Sequence, residues 1–195
     1  MVFLKLESAA QAQELADKVM AGIPLVINFE DVDASMLTNI MLDRMSEMGG
    51  VALSAPQVGL DISMFVMGID QARIEVFNPI IISYSKEETL MNEGSLTFPG
   101  ISVIVKRPTS ITVQYYNKNN EIQHNQFQGL TARIFQHAFD HLQGTTIKER
   151  VSKLKWDMAT KRLNNYKQKP DPGPGREHRP LLSTLHLLKV HHRYL

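Results

Sequence analysis

The chain has no cysteine among its 195 residues. That excludes disulfides, zinc–thiolate clusters and a thiol nucleophile. It has no surplus of either charge, since Lys+Arg 21 against Asp+Glu 20 leave a formal net charge of +1. Such a balance gives no global footprint for nucleic acid or an anionic membrane. No run approaches the roughly 20 apolar residues of a membrane-spanning helix. The opening stretch MVFLKLESAAQAQELADKVM lacks an apolar core followed by small residues at a cleavage site, so it does not read as a secretory signal. No internal repeat is visible. These absences lead to the expectation of a cytoplasmic protein with no transmembrane segment.

What is present suits a globular enzyme-sized domain. The apolar fraction of 43% can bury a real core. Residues 8–20 carry good helix formers, with Leu15 and Val19 four apart. GIPLVINF, 22–29, reads as a strand. Asp33 predicts a capped helix with Leu37, Ile40, Met41 and Met48 near one face, stopped by Gly49 and Gly50. The β-branched runs at 62–69 and 74–82 predict strands. Residues 101–117 predict two more, broken at Pro108, and NKNNE predicts a hairpin turn into IQHNQFQ. A helix is expected from Gly129 to Gly144, and a last one over 147–166 with Val151, Leu154 and Met158 on one face. Strands first and a major helix afterwards predict an α+β fold. The domain is taken as 1–166. Three prolines at 170, 172 and 174 mark a linker, and a basic, leucine-rich extension completes residues 167–195. That extension reads either as an anchor for a partner or membrane surface, or as a terminus without function.

Chemistry centres on QHAFDHLQG, 136–144, where His137 and His141 stand four apart. Leu130, Ile134, His137 and His141 share a helical face, so the histidines extend an apolar stripe. Inward-facing histidines are either hydrogen-bonded within a core or metal ligands, and the residues alone leave both open. Two further stretches stand out. GGVALSAPQVG, 49–59, has small residues that admit close backbone approach and ends near Gln57. NEGSLTFPG, 92–100, sets an acid, a glycine and a hydroxyl ahead of a turn.

In this order the three stretches resemble the signatures of the peptide deformylases, G-x-G-x-A-A-x-Q, E-G-C-L-S and H-E-x-x-H. They stand here as Gly50-Val-Ala52-Leu-Ser54-Ala55-Pro-Gln57, Glu93-Gly94-Ser95-Leu96-Thr97 and His137-Ala138-Phe-Asp140-His141. FNP at 77–79, KRP at 106–108, GLTARIFQH and HLQG agree, and the similarity runs from about 25 to 165. The resemblance implies antiparallel and mixed strands around a central metal-site helix, with a C-terminal helix. It implies metal-dependent hydrolysis of the formyl group from nascent formyl-methionyl peptides, near the ribosome of a bacterial, phage-infected or organellar source. In that family the cysteine and both histidines hold a divalent metal, Fe(II) with Zn or Ni as substitutes. The motif glutamate carries the proton of the attacking water.

Carried onto matching positions, the resemblance implies His137 and His141 as metal ligands, with Ser95 at the third ligand position. Ala138 stands at the general-base position, and Gln57 with the Leu96 N–H forms the oxyanion hole. Gly50 would line the peptide cleft, beside an apolar pocket near Leu130 and Ile134. Glu93 and Arg107 would form an ion pair steadying it. Two departures touch the chemistry. A serine hydroxyl does not ionise near neutrality and is a poor ligand where a thiolate would bring a full charge. The Ala138 methyl supplies no acid–base catalysis, a contribution of about 10²–10⁴ in rate. Asp140 would point elsewhere around the helix. Ala52 and Ser54, replacing Gly and Ala, would narrow the cleft. The expectation is a catalytically degenerate homologue with its metal weakly held or absent. The other readings are a non-catalytic binder of formyl-methionyl or methionyl termini, and a scaffold that presents its last helix and tail.

Overall fold

Strand pairing follows the β-branched runs closely. The computed structural model describes residues 24–69 and 72–167. The expected helix over 8–20 and the linker and extension after 167 lie outside the described residues. The chain divides into two compact units, one of residues up to Thr89 with Arg107–Thr146, the other of Leu90–Lys106 with residues from Ile147 on.

The first unit is built on a five-stranded antiparallel sheet of order β1-β2-β3-β6-β7. Its strands are β1 (Ala52–Ser54), β2 (Met64–Ile69), β3 (Ala72–Tyr84), β6 (Ser110–Tyr116) and β7 (Ile122–Gln128). β6 and β7 pair without a slip from Ser110↔Gln128 to Tyr116↔Ile122. The turn between them is set by Asn117, whose Oδ1 accepts from the N–H groups of Asn119 and Glu121, both at 3.0 Å. On β6 the alternation puts Ile111, Val113 and Tyr115 inward. Helix α2 (Gly129–Leu142) lays Ala132, Phe135, Ala138 and Leu142 into that face. Phe135 meets Phe65 edge-on at 5.0 Å and also touches Tyr115 and Phe127. Burying one such ring contributes about 1.5–3 kcal/mol.

Helix α1 (Ala34–Glu47) starts where expected, with the Asp33 carboxylate accepting from the Met36 N–H at 2.8 Å. Its buried face differs from the expected one. Ala34, Thr38, Met41 and Met45 are inside, whereas Ile40 is 50% and Met48 38% exposed. The 34-38-41-45 spacing is the better helical stripe, and it carries small residues at two places where hydropathy alone favours large ones.

The expected strand over 22–29 does not form over its described part. Residues 24–29 make one isolated bridge, Leu25↔Ile62. The reason lies 51 residues away. The Asn78 Oδ1 accepts from the Ile27 N–H and its Nδ2 donates to the Ile27 carbonyl, each at 2.8 Å. A side-chain amide thus replaces the neighbouring strand, and Asn78 itself sits at φ 48°, a region that Asn tolerates better than Ala. Asn78→Ala is expected to cost about 2–3 kcal/mol in urea unfolding, from orphaned Ile27 groups and left-handed strain together. Asn78→Gly should recover only the strain part. Equal losses in both variants would show that strain contributes nothing.

The second unit holds most of the pair β4 (Glu88–Ser95) and β5 (Phe98–Pro108); Glu88 and Thr89 at the start of β4, and Arg107 and Pro108 at the end of β5, belong to the first unit. Val103, Val105 and Ile147 form its core. Helix α3 (Lys153–Lys167) begins six residues later than the expected 147, because Ile147 is itself buried core and Ser152 accepts the Trp156 N–H at 3.0 Å. Its inward face is also different. Trp156 and Ala159 join Val151 against the core, Phe98 meets Trp156 at 4.9 Å, and Leu154 and Met158 are 70% and 57% exposed.

Candidate active site

The glutamine turn follows directly from β1. Pro56 stands in the first turn of a short 3-10 helix (Ala55–Val58), and Gly59 at φ 79° ends it. The Ser54 N–H turns away from the ladder and donates to the Gln57 Oε1 at 2.9 Å. Fixing the carbonyl end of that amide leaves Nε2 as its donor end. Gly50, just ahead of β1, donates its own N–H to the Met45 carbonyl at 2.9 Å, which ties the loop to α1.

Helix α2 carries the histidines. Gly129 at φ 56° makes the corner between β7 and the helix, and its N–H donates to the Thr109 carbonyl at 2.8 Å. From there Leu130, Ile134, His137 and His141 follow one face, as expected: Leu130 and His137 half-buried, Ile134 and His141 buried. The two imidazole centroids are 5.2 Å apart with their planes at 63°. Two imidazoles on a tetrahedral ion, each bond about 2.0–2.1 Å long, would hold their centroids roughly 5 Å apart. The pair therefore has the spacing of two ligand positions.

Among the described residues no group of three or more His, Cys, Asp or Glu side chains is placed to hold an ion. Ser95 is buried, and its Oγ accepts from the Thr97 N–H at 3.2 Å. A serine hydroxyl is a poorer donor to a divalent ion than a thiolate, because it brings no charge of its own.

Between the histidines, Ala138 is 1% exposed, so its methyl is packed into the core. Asp140 is also buried, and its carboxylate accepts from the Arg107 guanidinium at 2.8 Å. The sequence does not announce that pairing, since the expected role of Arg107 is to steady the cleft through Glu93. It pins the histidine helix to the end of β5. Glu93 and Leu96 lie on the other unit, with Glu93 buried and Leu96 half-buried. Burial raises the Tyr115 phenol above its ordinary value, against the Asn125 hydrogen bond and with help from Glu75, so it stays protonated at neutral pH.

Three residues on or beside this helix have roles that the sequence reading misses. Gln136 donates through Nε2 to the Pro108 carbonyl at 3.1 Å, and Arg133 donates to the Thr89 carbonyl at 2.7 Å. The third, Ser54, is expected to narrow the cleft, but it is fully buried. Its hydroxyl donates to the Ala138 carbonyl at 2.8 Å. A hydroxyl inside an apolar strand is the available signal, because such a group must find a partner.

An antiparallel sheet that ends in a glutamine turn and packs on a helix with histidines four apart is the scaffold of a deformylase-type hydrolase. A model of the polypeptide deformylase family matches residues 14–157, and the chain belongs to that family. Its members remove the formyl group from formyl-methionyl nascent peptides. The peptide deformylase of Chlorobium phaeovibrioides is 40% identical over 136 residues, 66% of this chain and 71% of that protein. That of Thermotoga neapolitana is 39% identical over 123 residues, 63% of this chain and 75% of the relative. The solved peptide deformylase from Legionella pneumophila superposes with a TM-score of 0.69 at 31% identity, covering 80% of this chain and 96% of its own. Among the described residues no helix is long and apolar enough to cross a membrane.

Proposed function

We propose that this chain is a catalytically degenerate member of the deformylase family. The observation that carries the reading is the buried methyl of Ala138 where the family motif has its proton carrier. Asp140 does not substitute for it, because its carboxylate is engaged with Arg107. In this reading His137 and His141 keep two ligand positions, Ser95 is a weak third, and iron(II), zinc or nickel is held loosely or not at all. Gln57 and the Leu96 N–H keep the oxyanion-binding role.

A second reading is favoured by β1 lying at the edge of its sheet, beside Gly50 and the turn of Gln57. An edge strand can pair with an extended peptide. Leu130 and Ile134, on the face of α2 that carries the histidines, supply apolar surface for a methionyl side chain. The chain would then bind formyl-methionyl or methionyl termini without cutting them. Its encounters would be with nascent peptides beside the ribosome, in the cytoplasm of a bacterial, phage-infected or organellar host.

The test is formyl-Met-Ala-Ser hydrolysis after loading with Fe(II), Ni(II) or Zn(II), beside equilibrium binding of the same peptide. Turnover is expected at least about 10²–10⁴ below that of an ordinary deformylase. Turnover within tenfold of one would overturn the degenerate reading. Absence of peptide binding would remove the second.

A further inference from the structure

The buried Ser54 faces two parts of the site at once. Its backbone N–H holds the Gln57 Oε1 at 2.9 Å, and its hydroxyl holds the Ala138 carbonyl at 2.8 Å. Ala138 lies between His137 and His141 on α2, and Gln57 lies in the turn after β1. These two segments are about 80 residues apart in sequence, and one residue with no exposed surface connects them. The helix does not need this bond for its own ladder. In an α-helix the carbonyl of residue 138 is already paired by the N–H four residues on, so the serine adds a second donor to an acceptor that has two lone pairs. A role limited to filling space would need no hydroxyl, since alanine would fill most of the same volume.

The geometry points to Ser54 as a positioning residue that registers the Gln57 amide against the histidine helix. This rests on the reading of Gln57 as the donor that binds a carbonyl or oxyanion. The backbone bond fixes the amide's rotation and the hydroxyl bond fixes how far the helix stands from it. Together they set the separation between the Nε2 donor and the imidazoles, with no metal required. The consequence is testable because the two bonds separate chemically. Ser54→Ala removes the hydroxyl, and with it the bond to the Ala138 carbonyl and the cap on the Gln57 backbone N–H, and leaves the Ser54 N–H to the Gln57 Oε1 in place.

The experiment is nuclear magnetic resonance of the full chain, following the Gln57 side-chain NH2 and the ring signals of His137 and His141. In Ser54→Ala both sets should shift together, although the bond to the Gln57 side chain is intact, and Ser54→Thr should return them towards the original positions. Should Ser54→Ala fail to fold, Ser54→Cys gives the same comparison with a poor donor. Movement of one set without the other would overturn the proposal, because a helix contact alone moves only the histidine rings and a turn cap alone moves only the Gln57 amide. In the Ser95→Cys, Ala138→Glu background, Ser54→Ala should lower kcat about threefold to tenfold with KM little changed. If the unmodified chain fails to bind formyl-Met-Ala-Ser, the binding reading falls, and the amide and ring signals still decide the role of Ser54.

Discussion

Restoring cysteine at 95 and glutamate at 138 together should raise formyl-Met-Ala-Ser hydrolysis by about 10³-fold or more after loading with Fe(II) or Ni(II). The glutamate returns a proton carrier, whose contribution is about 10²–10⁴. The cysteine returns an anionic donor to a set that otherwise has only neutral groups. Neither change should suffice alone. Ser95→Cys without the glutamate gains affinity for the ion but has no base, and Ala138→Glu without the cysteine has a base beside a poorly held ion. Residues that act as one unit respond in this non-additive way. The single change at 138 carries a further signature. Its Cβ is in the core, and a carboxylate begun there without a partner costs several kcal/mol or takes up a proton. Ala138→Glu should therefore melt earlier than the unmodified chain, and metal should restore part of the loss only when it is combined with Ser95→Cys. A double variant that binds one equivalent of metal and still fails to turn over would place the defect elsewhere, with Ala52 the first candidate.

Local signals are legible in the sequence and distant ones are not. The Asp33 cap, the Gly129 corner and the Asn117 turn depend on neighbours within a few residues, and each stands where expected. The histidine face of α2 is legible for the same reason, because helical periodicity is local. The segment at 24–29 departs from the expected strand because its partner is the Asn78 side chain, and no local pattern contains that amide. The faces of α1 and α3 depart from expectation wherever weight falls on large apolar residues. Burial follows spacing and fit, so Ala34 and Thr38 are inside while Ile40, Leu154 and Met158 stay out. At the site the motif residues are readable one by one, yet the bonds that tie them, Ser54 to Ala138 and Arg107 to Asp140, span 84 and 33 residues.

Breaking the Arg107–Asp140 pair from one side should be among the most destabilising single changes in the first unit. Both side chains are nearly inaccessible, at 4% and 6% exposure, with 2.8 Å between Nη1 and Oδ2. Charges so placed have given up most of their hydration, and their attraction is largely spent in offsetting that loss. The pair is therefore worth little compared with a well-packed apolar replacement, but each member is indispensable to the other. Arg107→Met leaves the Asp140 carboxylate buried without its cation and should cost about 3–5 kcal/mol. At roughly 2–4 °C per kcal/mol for a chain of this size, the melting midpoint should fall by roughly 6–20 °C. Asp140→Leu alone should also destabilise, because it removes the carboxylate that the Arg107 guanidinium holds at 2.8 Å. The double variant Arg107→Met, Asp140→Leu should lie well above either single one, because neither charge of the pair is left behind. That cycle separates two views of the helix. If the pair only holds charge, the double variant recovers stability and keeps the 5.2 Å histidine spacing. If the directional bond from β5 also aims the helix, stability returns while Ni(II) affinity, read by calorimetry in the Ser95→Cys, Ala138→Glu background, stays below that of the same background with the pair intact. A loss under about 1 kcal/mol in Arg107→Met would contradict both views, since it would mean that water reaches Asp140 freely.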